Sequence, residues 1–205
     1  MVRRQLAARG ISDRRVLATL ATVPREHFVP EHLLDQACDD LPLPAAHGQT
    51  ISQPYIVAFM TVHAALTRRS RVLEIGTGTG YHAAILARLA GHVWSVERVP
   101  ELSVAAGRRL GEIGVRNVTL VVGDGALGHA PEAPYDAIIV AAASPKAPPA
   151  LLEQVAPGGR LVIPVGDRAE QRLMVYHRTG DGFETEDTGP CRFVPLISPD
   201  AFSAE

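Results

Sequence analysis

Apolar positions recur at helical spacing in the first part of the chain, and from residue 71 onward they gather into short runs between longer amphipathic stretches. Residues 1 to 37 read as short helices, with Ser12 placed to cap one whose apolar positions are Val16, Leu17, Leu20 and Ala21 until Pro24 ends the pattern. Residues 39 to 50 are rich in turn formers and lack periodicity, so an ordered loop is expected there. Ser52 then stands where it can cap a helix with Pro54 in its first turn and Ile56, Val57, Met60 and Ala64 as its stripe.

Strands are predicted over 71–75, 92–97, 118–122, 135–141 and 160–165, and amphipathic helices over about 80–90, 99–113 and 147–156. That alternation implies right-handed crossovers and a doubly wound α/β fold with a mostly parallel sheet. After Pro164 the rhythm changes. Stretches 171–178 and 191–196 are strand-like and joined by the polar region 179–189, which predicts an antiparallel C-terminal edge hairpin. A single domain over 1–205 is expected, with N-terminal helices and a site loop (1–50), a cofactor-binding core (52–166) and a C-terminal hairpin and tail (167–205).

Composition narrows the function. The formal charge is -2 and the pI about 6.4, so no global cationic field would draw the chain onto nucleic acid. Cys38 and Cys191 form neither a disulfide framework nor a CxxC pair. No run approaches the roughly 20 apolar residues of a membrane span, and a cytoplasmic protein without a membrane partner is expected. The histidines at 27, 32, 47, 63, 82, 92, 129 and 177 have no metal-ligand spacing, so no metal is expected.

The first parallel strand runs into Gly76-Thr-Gly78-Thr-Gly80-Tyr81, a turn in which glycines let the backbone approach a nucleotide-like ligand. A dinucleotide fingerprint would place its third glycine where Tyr81 stands, which weakens a phosphate reading. Glu74, just before the turn, suits a cationic ligand such as S-adenosylmethionine. Glu97, about 20 residues on, can accept from both hydroxyls of a ribose, which fits either S-adenosylmethionine or a nicotinamide cofactor. Asp124, in Gly123-Asp124-Gly125, is a candidate for the adenine amino group or a plain turn residue. The scattered histidines offer no evident general base, which agrees with a methyl acceptor already ionised at pH 7, a carboxylate.

Several segments together resemble the protein-L-isoaspartate O-methyltransferases: Arg25-Glu-His-Phe-Val-Pro30, Gly48-Gln-Thr-Ile-Ser-Gln-Pro-Tyr55, Val72-Leu-Glu-Ile-Gly-Thr-Gly-Thr-Gly-Tyr81, Ser95-Val-Glu97, Gly123-Asp-Gly125, Asp136-Ala-Ile-Ile-Val140, Gly158-Gly159 and Arg192-Phe-Val-Pro-Leu196. The Gln-Thr-Ile-Ser-x-Pro and Arg-Phe-Val-Pro-Leu segments carry the assignment. The resemblance implies methyl transfer from S-adenosylmethionine to the free carboxylate of L-isoaspartyl residues in damaged peptides and proteins. The ester then closes to a succinimide, whose hydrolysis returns some normal aspartate.

It further implies Ser52 as the catalytic residue, in an orienting role, within Gln49, Thr50, Ile51 and Ser52, which would touch both cofactor and acceptor. Glu74, Gly76, Gly78, Gly80, Glu97, Asp124 and Gly125 would complete the cofactor site. Pro54, Tyr55, Arg192 and Val194 would join Ser52 on the substrate side, the C-terminal segment either as a buried edge strand or pairing its backbone with an extended peptide. Cys38, Ala126 and Ser144 depart from residues common in the family, and a dedicated biosynthetic peptide is the alternative substrate. A nicotinamide-dependent oxidoreductase and a non-catalytic binder are the rival classes, and the presence of Ser52 and the glycine turn argues against the binder. A monomer is expected.

Overall fold

A computed structural model describes residues 1–203. In chain order the elements are α1 (Arg14–Thr22), β1 (Leu43–Pro44), β2 (Thr50–Ile51), α2 (Pro54–His63), β3 (Arg71–Ile75), α3 (Tyr81–Leu89), β4 (His92–Glu97), α4 (Pro100–Glu112) and β5 (Val118–Val122). They continue with β6 (Tyr135–Val140), α5 (Pro149–Glu153), β7 (Val155–Gly166), β8 (Gln171–Thr179) and β9 (Gly182–Cys191). Short 3₁₀ and π turns fill the N-terminal segment, as the broken periodicity there suggests.

The main sheet has seven strands in the order β5-β4-β3-β6-β7-β8-β9. The first five run parallel and the last two antiparallel. Chain order reverses between β3 and β6, which opens a crevice at their carboxyl ends, where ligands bind in such folds. Burial on both faces of β3 explains why Val72, Leu73 and Ile75 are all apolar. Val72 packs into the cluster that includes helices α1 to α3, Leu73 and Ile75 pack into a second cluster on the other face, and all three are at most 1% exposed.

Three local expectations are corrected. The cap of α1 is Asp13, whose carboxylate accepts from the amides of Arg15 (2.8 Å) and Val16 (3.2 Å), because Asp13 rather than Ser12 takes the extended conformation before the first turn. Asp13→Ala should cost about 1 kcal/mol and lower Tm by roughly 2 to 4 °C in a thermal melt. Ser52 does not cap α2. That position belongs to Gln53, with no side-chain cap, and the Tyr55 amide is met instead by Asp40 Oδ1 at 2.9 Å.

The third correction concerns the edge hairpin, which is β8 with β9, so most of 179–189 is strand and 192–196 lies beyond it. The strand was hidden because β9 is an edge whose side chains are largely exposed and polar. The loop at 39–50 is ordered as expected, folded on itself by the β1–β2 pair, Leu43 opposite Ile51 and Pro44 opposite Thr50.

Candidate active site

Four parallel strands deliver residues to one carboxyl-edge cavity of ≈ 660 Å³, within the roughly 300–1,000 Å³ of small-molecule sites. From β3 comes the glycine turn, with Gly76, Gly78 and Gly80 at φ of 92, 53 and 90°. From β4 comes Glu97, from the end of β5 Gly125, and from the end of β6 Ala141 and Ala142. Opposite them stand Gln49, Thr50, Ile51 and Ser52, and the C-terminal segment 190–197 covers the side. Positive φ at the turn is where glycine is required. Gly80 also lies against α4, where an added Cβ would meet that of Ala106 at 3.3 Å. Gly80 does not line the cavity, and its part is to start α3 in close packing with α4.

Glu97 is fixed by main-chain donors: Gly78 N to Oε2 at 2.9 Å and Val99 N to Oε1 at 3.0 Å. Each carboxylate oxygen keeps a further acceptor position, so a pre-oriented acceptor pair faces the cavity and fits vicinal ribose hydroxyls. The same contact speaks against a dinucleotide. An amide of the glycine turn that would hold phosphate already holds a carboxylate, and two anions there would repel. The residues therefore fit the adenosyl, sulfonium and ammonium groups of S-adenosylmethionine, which carry no phosphate.

Besides Gly80, two predicted cofactor residues sit elsewhere. Glu74 is wholly buried and does not line the cavity; it shares β3's other face with Val72 and accepts from Ser95 Oγ. Burial pushes its pKa up to about 8, so at neutral pH it gives no counter-charge to a cationic ligand. Its influence is indirect, through Ser95 to Thr77, whose hydroxyls are 2.6 Å apart and of which Thr77 lines the cavity. Asp124 lies in an adjoining recess with Arg98, Ile197 and Ser198. One carboxylate oxygen accepts from Ala126 N at 2.9 Å and the other from Ser198 Oγ at 2.7 Å, so the turn-former reading holds. Both oxygens retain acceptor capacity toward an adenine amino group at the cavity's edge.

On the acceptor side Ser52 is half-buried, and among the described residues no protein group hydrogen-bonds its hydroxyl. Tyr55 lines the mouth under the guanidinium of Arg9, 3.7 Å from the ring centroid, and Arg9 is ion-paired with Asp40. Pro54 is buried at the start of α2 and lines nothing. Arg192 and Val194 line the cavity, and part of the segment's backbone is bonded within the protein. Ala143 N donates to the Val194 carbonyl (2.8 Å), Leu196 N donates to the Ala143 carbonyl (2.7 Å), and Phe193 N donates to Gln171 Oε1 (2.7 Å). These bonds make the segment a wall of the site through Phe193 N, the Val194 carbonyl and Leu196 N, and its side chains face the cavity.

Burial moves His82, Cys191 and Tyr81, which all line the cavity, away from neutrality. His82 Nε2 is bonded to Thr61 Oγ1 at 3.0 Å, and burial pushes its pKa down to about 4. Burial raises the Cys191 thiol to about 11 and drives the Tyr81 phenol higher still. Among the described residues no group of three His, Cys, Asp or Glu could hold a metal ion, and no helix is long and apolar enough to cross a membrane. The site is built to orient rather than to move protons.

Residues 1–201 match the family model described as Protein-L-isoaspartate(D-aspartate) O-methyltransferase (PCMT). This chain belongs to that family. A protein-L-isoaspartate O-methyltransferase of Protochlamydia amoebophila is 52% identical over 204 residues, 98% of this chain and 97% of the relative. A solved protein-L-isoaspartate O-methyltransferase superposes with a TM-score of 0.88 at 27% identity, covering 98% of this chain and 67% of that one. A Plasmodium falciparum structure assigned to the family, in complex with S-adenosyl-L-homocysteine, shares the fold with a TM-score of 0.82 at 24% identity over 96% of each chain.

Several site residues escaped the sequence reading. Thr77 and His82 lay inside or beside the quoted glycine turn, but which of its side chains face the ligand depends on how the turn coils into α3. Arg9 and Asp40 come together from segments 31 residues apart without any local pattern. Arg25 stood in a quoted motif, yet nothing in the sequence marks it as buried.

Proposed function

We propose that this family member transfers a methyl group from S-adenosylmethionine to the free carboxylate of L-isoaspartyl residues in damaged peptides and proteins, with Ser52 orienting the acceptor. The observation that carries the reading is a cavity that pairs a ribose-accepting carboxylate, Glu97, with an uncommitted hydroxyl, Ser52, and whose histidine, His82, is taken by burial down to about 4, away from general-base work near pH 7. A carboxylate, ionised well below neutrality, needs no such base. S-adenosylmethionine, when bound, supplies the methyl group on its sulfonium.

Ser52 donates its hydroxyl hydrogen to one carboxylate oxygen and leaves the other free to attack, and Gln49, Thr50 and Ile51 line the passage between acceptor and cofactor. As the carboxylate oxygen bonds to the methyl carbon, the carbon–sulfur bond breaks, so an anion and a cation become an ester and a thioether. Charge vanishes along this path, and the apolar lining of Ile51, Ile56, Val57 and Val194 favours it by excluding water. Orientation of the reactants can supply about 7 to 11 kcal/mol of the barrier. Tyr55, Arg9 and Arg192 offer the mouth an aromatic face and two cations suited to a peptide bearing an extra carboxylate.

In this reading the chain works as one domain and as a monomer. The cytoplasm is its place of action, where Cys38 and Cys191, both unpaired, stay reduced. With a formal charge of -2 it has no nucleic-acid partner in this reading.

The test uses labelled S-adenosylmethionine and two peptides differing only in isoaspartate or aspartate at one position. Base-labile label is expected on the isoaspartyl peptide alone. Ser52→Ala should lower kcat roughly 10- to 100-fold, the worth of one hydrogen bond to a charged group. Equal labelling of both peptides would remove the isoaspartyl assignment, and an unimpaired Ser52→Ala would remove the role of Ser52.

A further inference from the structure

Arg25 opens the motif Arg25-Glu-His-Phe-Val-Pro30, which the reading of the site has not used. Its side chain is among the largest fully enclosed ones in the molecule, with the residue 2% exposed. Among the described residues no carboxylate pairs with it. The guanidinium donates instead to four main-chain carbonyls: Nη1 to Ala37 (2.7 Å) and Asp39 (3.5 Å), Nη2 to Leu41 (3.2 Å) and Ser52 (3.1 Å). Burial lowers the pKa of this cation, with the charges of Asp39 and Asp40 and the Tyr81 ring offsetting part of the cost, and an apolar side chain would avoid that cost altogether, so stability alone is a poor reason for it.

What the fork does is geometric. It ties the carbonyl of the acceptor-orienting residue to the turn at 37–41, and Asp40 of that same turn accepts from Gln53 Nε2 at 2.9 Å and from Tyr55 N at 2.9 Å. The corner from Ser52 to Tyr55, which has no cap of its own, is held by these two clamps. A planar group with five donors in fixed directions can reach four carbonyls at once, whereas the ammonium of lysine has three donors on a flexible stem.

Resting on the role assigned to Ser52, we infer that Arg25 is a positioning residue for methyl transfer. It fixes the peptide plane of Ser52 and so aims the hydroxyl at the acceptor carboxylate. It does not itself line the cavity; its guanidinium lies 5.7 Å from the ring of Tyr81, which does, but its hydrogen bonds all run to Ser52 and the turn at 37–41, while the glycine turn and Glu97 hang from β3 and β4. Loss of Arg25 therefore acts on turnover and leaves cofactor binding in place.

The experiment measures kcat and KM on an isoaspartyl peptide, S-adenosylhomocysteine affinity and Tm for Arg25→Lys, Arg25→Met, Ser52→Ala and the two double variants. We expect kcat to fall about 10- to 100-fold in the Arg25 variants, a loss within reach of a displacement of about 1 Å, with S-adenosylhomocysteine affinity changed less than about threefold. The double variants should be no more than about threefold slower than Ser52→Ala, because residues acting as a unit are not additive. Losses that multiply in the double variants would overturn the inference and leave the Ser52 reading standing. So would cofactor affinity falling in step with kcat, or neither Arg25 variant folding, each of which makes Arg25 a stability element. Ser52→Ala as fast as the parent would remove the Ser52 reading first and the inference with it.

Discussion

Glu97→Ala is expected to weaken S-adenosylhomocysteine binding by roughly 10²- to 10⁴-fold. The figure follows from two hydrogen bonds between ribose hydroxyls and a charged acceptor, each worth about 1.5–3 kcal/mol. The carboxylate is already aimed, with Gly78 N and Val99 N donating to its two oxygens, so ligand binding bears little cost for ordering it. The substitution also leaves the Gly78 amide without its partner, which loosens the glycine turn and adds to the loss. Glu97→Gln keeps one acceptor oxygen and should fall between the parent and Ala. Isothermal titration with S-adenosylhomocysteine checks this, and a loss below tenfold in Glu97→Ala would show that the ribose is held elsewhere.

How far the sequence discloses such a site depends on where the information is stored. Strands β3, β4 and β6 are legible because parallel strands buried on both faces are mostly apolar, and the edge strand β5 because it reads Val-Thr-Leu-Val-Val; the predicted ranges of all four agree with the observed ones within a residue. The same covering locates the glycine turn and Glu97, since both follow directly from strand ends. Strand β9 is not legible, because an edge strand with largely exposed Glu184, Glu186 and Asp187 has the composition of a turn. Side-chain direction is the other gap. Glu74 is one residue out of phase with Leu73 and Ile75, and parity alone sends it away from Ile75, which lines the cavity. Arg25 is illegible for a different reason. Arginine is almost never fully buried unless paired, and its partners here are carbonyls, which every residue carries.

Glu74 leads to the second large effect, in the pH dependence of stability. Its pKa is pushed up to about 8 from 4.5 by burial, so the folded protein keeps this proton between pH 4.5 and 8 while the unfolded chain has released it. Stability from this group is complete below pH 4.5 and is lost as pH rises toward 8, a difference on the order of 4 kcal/mol. His82 acts in the opposite sense. With its pKa pushed down to about 4 from 6.5, it is neutral when folded and charges first when unfolded, so it lowers stability as pH falls from 6.5 to 4. The two leave the parent most stable in the mildly acidic range. Glu74→Gln should abolish the decline between pH 6.5 and 8 and uncover, below pH 6.5, the fall due to His82 that Glu74 offsets in the parent. Denaturant midpoints at matched ionic strength across pH 4 to 9 would read this directly. A parent curve flat from pH 6.5 to 8, or a Glu74→Gln curve with the parent's slope, would mean that Glu74 is ionised in the fold. Its charge would then be available, through Ser95 and Thr77, to a cationic ligand in the cavity after all.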